Sequence, residues 1–396
     1  MLSLDKVFNA QTVLKNIVRE TKLVRAYGIA PDCELYLKPE NLQITGSFKV
    51  RGSAYKIAML TDEEKKKGVI ACSAGNHAQG VALAATKNGI KSLICLPDSA
   101  PISKVEATKG YGAEVCLVEG CYDDAYQKAL ELRDSEGYTF VHPFDDENVI
   151  AGQGTIALEI LNDLDNIDAI VVPIGGGGLI SGIAYTAKQI RPSIKIYGVQ
   201  AAGAPSMYNS VKDGEIERLS SVSTVADGIA VKKPGENTYA LVKEYVDEIA
   251  LVSDDEVSSA ILALIEKQKM IAEGAGAVAV AAVMFGKFNF KNKRVVAVVS
   301  GGNIDVTSLS RVIDRGLLKS GRSSSLLIEL IDKPGQLKEI SRIIADCGGN
   351  VTGVHYEKGD TESVNGCFLR IEMETRDFEH VNLITKTLRD EGFKLV

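Results

Sequence analysis

The sequence predicts an open, mostly parallel α/β architecture in two lobes, followed by a small ferredoxin-like unit. Three observations carry this. From about residue 33 to 300, short β-rich runs alternate with helical stretches of roughly ten to eighteen residues, the rhythm of βαβ units. Several runs are apolar throughout, as parallel strands covered on both faces are. Beyond residue 325 the order changes to β-α-β-β-α-β, the split unit of ferredoxin-like domains.

The strand candidates, in order, are "CELYLK" (33–38), "VIACS" (69–73), "SLICL" (92–96), "EVCLV" (114–118), "AIVVPI" (169–174), "IKIYGVQ" (194–200) and "RVVAVVS" (294–300). The first four are assigned to one unit and the later ones to another, with a cleft between. The small-apolar run "GAGAVAVAAVMFG" (274–286) is too short to span a bilayer and reads as a buried helix. Asp254, Asp255 and Glu256 read as a helix start rather than a metal site. "LLKSGRSSS" (317–325) is Gly/Ser-rich and basic, a linker composition. "LLIELI", an amphipathic helix ending at "CGGN", "VTGVHYEKG", "GCFLRIEME", a second helix and "FKLV" follow it.

Length and composition bound the possibilities. The 396 residues suffice for two or three domains, and 45% apolar with 24% charged residues is ordinary for a globular chain. A net charge of −7, no Trp and no basic run argue against nucleic acid or an anionic membrane as partner. The seven cysteines form no C-x-x-C, so neither a disulfide framework nor a thiolate zinc site is indicated, and a reducing cytoplasm fits. The start, "MLSLDKVFNA", lacks a signal peptide's apolar core.

Three stretches carry chemistry. In "AIVVPIGGGGLISGIAYTAKQ" an apolar strand runs into Gly175, Gly176, Gly177 and Gly178 and then a helix. Four residues without Cβ let the backbone close on a ligand, and the helix start adds a positive dipole end, so the loop suits phosphate. The G-x-G-x-x-G spacing fails, because Ile180 or Ser181 stands where the third glycine belongs. No acid ends the next strand, which closes in Gln200, and no Gly-Lys-Ser/Thr follows. A compact phosphate monoester fits better than a nucleotide. The second stretch, "CSAGNHAQGVALAATKNG" (72–89), ends a strand and opens a helix whose free N–H groups suit a carboxylate; Asn76 is a possible cap. Third, "VVAVVSGGNID" puts Ser300 at a strand's carboxyl edge, where open sheets bind ligands. Lys49, in "ITGSFKVRGSAYKI", falls beside the stripe Val50, Ala54, Ile57, Ala58, and pattern alone reads it as a solvated charge.

Together, "KPENLQITGSFKVRG", "SAGNHAQG", "GGGGLISG" and "SGGN" resemble the fold-type-II pyridoxal-phosphate enzymes, most closely the threonine dehydratase group, over roughly residues 5–318. The resemblance implies a catalytic domain over 1–318, with a smaller lobe at about 45–150 inserted in the larger. It implies pyridoxal 5′-phosphate held as an imine on Lys49 beside Phe48. Gly175 to Gly178 and Leu179 would bind the phosphate, Asn76 the ring hydroxyl and Ser300 the pyridine nitrogen. Ser73, Ala74, Gly75, Asn76 and His77 would take the substrate carboxylate, with the His77 side chain structural. Glu273, in "IAEGAGA", would position the lysine or the ring, or else be a buried paired acid.

The activity so implied is removal of the Cα proton of threonine by Lys49, loss of the β-hydroxyl and release of aminoacrylate, which hydrolyses to a 2-oxo acid and ammonia. Threonine would give 2-oxobutanoate, and serine pyruvate. A neutral Ser300 makes the ring a weaker electron sink than a carboxylate would, which favours prompt β-elimination. Serine racemases are similar but carry a second serine where Ala74 stands, and divalent-metal carboxylates near Gln200 and Ser206. No metal is expected here, though a monovalent cation on backbone carbonyls stays open. A nicotinamide oxidoreductase and a non-catalytic amino-acid sensor are the readings from other classes. The tail resembles an ACT regulatory domain at 326–396 behind a linker at 319–325, through "DKPGQL" and "GGNVTGV". Its effector site would lie around Pro334, Gly335 and Asn350, and a homo-oligomer, dimer or tetramer, is implied. The short tail favours a catabolic over an isoleucine-inhibited biosynthetic enzyme.

Overall fold

The computed structural model describes residues 2–357 and 366–396. The chain divides into two compact units, Met1–Val306 and Thr307–Val396.

The strands of the first unit are β1 (Val24–Arg25), β2 (Glu34–Pro39), β3 (Val69–Cys72), β4 (Ser92–Pro97), β5 (Glu114–Val118), β6 (Thr139–Phe140), β7 (Ala169–Pro173), β8 (Lys195–Ala201), β9 (Glu248–Val252) and β10 (Arg294–Val299). They form two sheets. The larger runs β1-β2-β10-β7-β8-β9, parallel except for β1; the smaller, β5-β4-β3-β6, is wholly parallel. β3, β7 and most of β10 are buried along their length, as their unbroken Val/Ile/Ala runs require.

All seven expected strands form, but β2 pairs with β10 in the larger sheet, so the assignment of the first four strands to one unit is corrected. It buries Leu35 and Leu37 and, at its carboxyl end, Lys38 and Pro39, and Val295 to Val299 complete its ladder. The short β1 and β6 had no apolar run to announce them, whereas the half-buried β9 carries the run Ile249 to Val252 and is missing from the expected strands.

Each sheet has a switch point, and these two places define the cleft. From β7 the chain proceeds outward to β8 and β9, then returns to lay β10 on the other flank of β7. From β3 it proceeds to β4 and β5, then returns to lay β6 on the other flank of β3. A crevice opens beyond the carboxyl ends of such strand pairs. The residues that follow β7, β10, β3 and β6 are Gly175, Ser300, Ser73 and Pro143 with their neighbours.

Helices Lys49–Ala58, Glu147–Asp163 and Gly178–Ile190 pack so closely that glycine is needed at the crossings. A Cβ on Gly152 would lie 2.7 Å from the Arg51 carbonyl oxygen, and one on Gly182 2.4 Å from that of Ile150. The apolar helix Gly274–Met284 is buried from Gly274 to Val283, with a capping-box helix Asp254–Ala263 before it.

The second unit holds β11 (Ser323–Ile331), β12 (Asn350–Glu357), β13 (Gly366–Glu374) and β14 (Lys394–Leu395), an antiparallel sheet ordered β12-β13-β11-β14. Helices Gln336–Asp346 and Phe378–Asp390 bury Ile340, Ile343, Ile344, Ile384 and Leu388 among its strand residues. This is the β-α-β-β-α-β order. The linker expected at 319–325 is shorter: helix Val306–Lys319 reaches Lys319, and Ser323 to Ser325 already pair with Glu374 to Glu372. The extended pairing satisfies backbone groups that a Ser-rich linker would leave to water. Lys358 and Gly359, the end of the strand expected from 351, lie outside the described residues.

Candidate active site

Lys49 is the first residue of its helix, and Gly80 seats it. A Cβ on Gly80 would stand 3.1 Å from the Val50 amide nitrogen and 3.2 Å from the Lys49 carbonyl carbon, so helix Asn76–Lys87 rests on the very start of the Lys49 helix. The Lys49 Nζ donates to the Pro143 carbonyl oxygen at 2.9 Å and lies 5.3 Å from the centre of the Phe48 ring. Desolvation by the surrounding protein lowers its pKa to about 8, with the Glu273 charge pulling the other way. An amine tuned this way is a nucleophile and base near neutrality, which the local pattern of small residues did not reveal.

The glycine loop presents unsatisfied donors. Gly177 is the N-cap of helix Gly178–Ile190, at φ +99°, and has no side chain to cap with. The first helical bond is from Ser181 N–H to the Gly177 oxygen at 2.9 Å, so the amides of Gly178, Leu179 and Ile180 stand before the ladder begins. Close packing fixes the loop's shape. A Cβ on Gly176 would run into the Phe144 ring at 2.4 Å, one on Gly177 would lie 2.7 Å from Thr238 Cβ, and one on Gly175 3.1 Å from Ile229 Cα. The Thr238 hydroxyl donates to the Gly176 oxygen at 2.6 Å. The Asp145 carboxylate accepts from the Glu236 and Thr238 amides, capping helix Glu236–Tyr245 from across the cleft. Phe144, Asp145 and Thr238 escaped the sequence reading because no local pattern links them to the loop.

At the second helix start, Gly75 and not Asn76 is the N-cap, so the capping alternative for Asn76 does not hold. The amide side chain turns away instead. Its Nδ2 donates to Glu273 Oε1 at 2.7 Å, and its Oδ1 accepts from Asn303 Nδ2 at 2.7 Å. Asn303 is itself held by the Thr45 carbonyl oxygen at 2.7 Å. The Ser73 hydroxyl accepts from the Gly75 amide at 3.2 Å. His77 is buried, with Nε2 2.8 Å from the Val141 oxygen, and desolvation lowers its pKa to about 3, so the ring is neutral. Its backbone amide alone faces the helix start. His142, not anticipated, accepts the Phe144 and Asp145 amides on Nδ1 and shapes the turn behind Lys49.

Ser300 follows β10, buried, with its hydroxyl donating to the Ala275 oxygen at 3.2 Å, while its carbonyl accepts from the Phe48 amide at 3.1 Å. Glu273 is the residue before helix Gly274–Met284 and is also buried. Desolvation, and then the charge of Asp227, raise its pKa to about 7; the Asn76 hydrogen bond works against this. A Cβ on Gly301 would meet Glu273 Oε1 at 2.4 Å. The structure thus brings Lys49, the glycine loop, Asn76, Glu273 and Ser300 to the ends of four strands, around two uncapped helix starts. Among the described residues no cluster of three or more His, Cys, Asp or Glu is disposed to hold a metal, and no helix is long and apolar enough to cross a membrane.

In the second unit a cavity of about 220 Å³ is lined by Leu330, Asp332, Gly335, Tyr356, Cys367 and Leu369, among others. Gly335 borders it. Asn350 does not: it lies at the far end of β13, where its amide donates to Glu374 at 2.9 Å. Pro334 sits in the adjoining turn and does not line the cavity.

Fold and site define an enzyme with a tuned lysine and a backbone anion cradle at the strand ends of one cleft. A family model for pyridoxal-phosphate dependent enzymes matches residues 14–301, and the chain belongs to that family. It is 48% identical to an L-threonine ammonia-lyase of Thermotoga maritima, covering 100% of this chain and 99% of the relative. Its structure is similar to a processed threonine deaminase isoform of Solanum lycopersicum, with TM-score 0.74 and 39% identity over 79% of this chain and 94% of the other. It is also similar to maize serine racemase, with TM-score 0.75 and 34% identity over 80% and 98%. The residues fit the cofactor: three uncapped amides on a Cβ-free loop suit its phosphate, and the Lys49 amine suits its aldehyde.

Proposed function

We propose that this chain is a pyridoxal-phosphate-dependent lyase that converts L-threonine to 2-oxobutanoate and ammonia, and L-serine to pyruvate and ammonia. The observation that carries the reading is the Lys49 amine, with its pKa lowered to about 8 and bonded to the Pro143 carbonyl oxygen, whose neighbour Phe144 packs on Gly176 and Gly178 at the uncapped start of helix Gly178–Ile190. The similarity to named threonine ammonia-lyases supports the choice of substrate.

The cofactor, when bound, supplies a sink for the electron pair left on Cα. The chain's own residues do the rest. Amides of Gly175 to Leu179 would hold the phosphate by backbone N–H donation and the helix dipole. Asn76, fixed by Glu273 and Asn303, would bind the ring's hydroxyl. The Ser300 hydroxyl has one proton and gives it to the Ala275 oxygen or to the ring nitrogen, not both. Amides from Gly75 to His77 bind the substrate carboxylate. Lys49 Nζ takes the Cα proton, and the β-hydroxyl leaves as water. The enamine so released takes a proton on its β-carbon to become the imine, whose carbon–nitrogen double bond adds water and yields the 2-oxo acid and ammonia.

Ala74 favours elimination over racemisation. Its methyl group can neither take nor return a proton, so the face opposite Lys49 lacks the second acid–base group that a racemase needs. We further propose that the second unit is an ACT-type regulator taking a free amino acid in the cavity beside Gly335, and that the protein works in the cytoplasm as a homo-oligomer. The test is release of 2-oxobutanoate from threonine by the cofactor-saturated protein, with and without isoleucine and valine. Turnover of threonine supports the reading; a coloured holoprotein that turns over neither threonine nor serine overturns the substrate.

A further inference from the structure

One ion pair crosses the mouth of the cleft and ends beside Glu273. Lys104 lies on helix Ile102–Gly110, which follows β4 of the smaller sheet. Its Nζ is 2.8 Å from Oδ2 of Asp227, at the start of the short turn Asp227–Ile229 against the larger lobe. The next residue, Gly228, faces the site: a Cβ there would lie 3.5 Å from Glu273 Oε1. The line continues from Glu273 Oε1 to Asn76 Nδ2 at 2.7 Å and from Asn76 Oδ1 to Asn303 Nδ2 at 2.7 Å. A contact between the two lobes is therefore joined, through two carboxyl groups, to the asparagine expected at the cofactor ring.

We infer that Lys104 and Asp227 are positioning residues for the elimination, joining the lobes at the cleft mouth and setting the charge that Glu273 presents to Asn76. The inference rests on the function proposed above. Its logic is electrostatic. The charged groups facing Glu273 are Asp227, Lys104 and Lys49. Asp227 alone would oppose ionisation of Glu273. Lys104 seated on Asp227 cancels much of that field, so Glu273 ionises more readily when the lobes are joined. An ionised Glu273 accepts the Asn76 N–H and holds the amide in one orientation; a protonated one is a weaker acceptor and releases it. As a fastening alone the pair counts for little, since the Asp227 side chain is 63% exposed. Its value lies in what it does to the neighbouring carboxyl.

The inference makes signed predictions for the holoenzyme. Lys104→Ala leaves Asp227 uncompensated, and the acid limb of kcat/KM moves to higher pH, by roughly half a unit or more. Lys104→Arg restores it. The melting temperature stays within about 3 °C of wild type, as expected for a solvated pair. The double reversal Lys104→Asp with Asp227→Lys separates fastening from field. It rebuilds the pair but sets a cation beside Glu273, so the limb moves below the wild-type position. The Glu273 carboxyl is also read without turnover, as the infrared carboxyl titration of wild type minus Glu273→Gln, repeated in the Lys104→Ala background. A higher titration midpoint in that background supports the inference even if threonine proves not to be the substrate. Superimposable profiles and midpoints for wild type and Lys104→Ala, or a double reversal that moves the limb upward, overturn it.

Discussion

Lys49 and Arg51 stand two residues apart on one helix, and the protein treats them in opposite ways. Arg51 is buried and wholly compensated: it bonds Glu40 through Nε and NH2 at 2.8 Å each, and Glu159 through NH1 at 2.6 Å and NH2 at 2.9 Å. Lys38, also buried, shares Glu159, and Thr21 bonds Glu40. These carboxylates outweigh desolvation and raise the guanidinium's already high pKa, so the charge is permanent. The Lys49 amine bonds the Pro143 carbonyl oxygen, and desolvation outweighs the pull of the Glu273 charge, so its pKa falls to about 8. Two cations on one helical turn become a structural fixture and a reagent. The difference is a bonded counter-ion, given to one and withheld from the other.

Exchanging the two chemistries gives the largest expected effects. Lys49→Arg keeps the charge but supplies a group that does not give up its proton near neutrality, so turnover falls by at least about 10⁴-fold while the fold persists. Residual activity near wild type would break the comparison. Glu40→Gln leaves Arg51 partly unpaired in the interior and costs on the order of 3–5 kcal/mol of stability, read from urea unfolding. Arg51→Lys, which loses the two-armed geometry, costs about 2 kcal/mol, and its turnover stays within a few-fold of wild type once folded. A large loss of turnover in that variant with unchanged stability would show that Arg51 belongs to the chemistry after all.

Smaller effects sharpen the picture around the site. Gly177→Ala puts a Cβ at φ +99° and 2.7 Å from Thr238 Cβ, and weakens cofactor binding by about tenfold, measured by equilibrium titration of the apoprotein. Glu273 supplies a pH signature. Its pKa is raised from the ordinary 4.5 to about 7, so the folded state holds the proton more tightly than the unfolded one. The stability this contributes is present below about pH 4.5 and is lost as pH rises through 7, a change on the order of 3 kcal/mol. Glu273→Gln removes that slope from the pH dependence of unfolding. An unchanged slope would place the titration on another group.

What was legible in the sequence follows from the range of the physics involved. Parallel strands and the glycine loop are local: a run of Val, Ile and Ala, or four consecutive glycines, states its requirement within six residues. Lys49 was visible only by resemblance, because its lowered pKa comes from burial by elements distant in the chain, among them the Gly80 helix and the turn at Pro143. Asp145, which caps a helix ninety residues away, and Asp227, which acts on Glu273, have no local signature. The network of Arg51, Glu40 and Glu159 reads in sequence as scattered surface charge. β2 was assigned to the wrong sheet because an alternating strand does not say which neighbour it will find. Gly335 lies in a turn and Asn350 opens β12, yet only the register of β12 on β13 and of β11 on β13 shows that they lie at opposite ends of the sheet.

The central claim is that the Lys49 amine is made reactive by burial that outweighs the pull of Glu273. At pH 7.5 a pKa of about 8 leaves Lys49 neutral roughly two hundred times more often than an ordinary lysine. The direct measurement is borohydride reduction of the protein saturated with pyridoxal phosphate, followed by peptide mass spectrometry. The account predicts one reduced cofactor per chain, on Lys49, with the rate of uptake by the apoprotein rising as pH passes through about 8. Reduction products spread over several lysines, or placed on one other than Lys49, would contradict it.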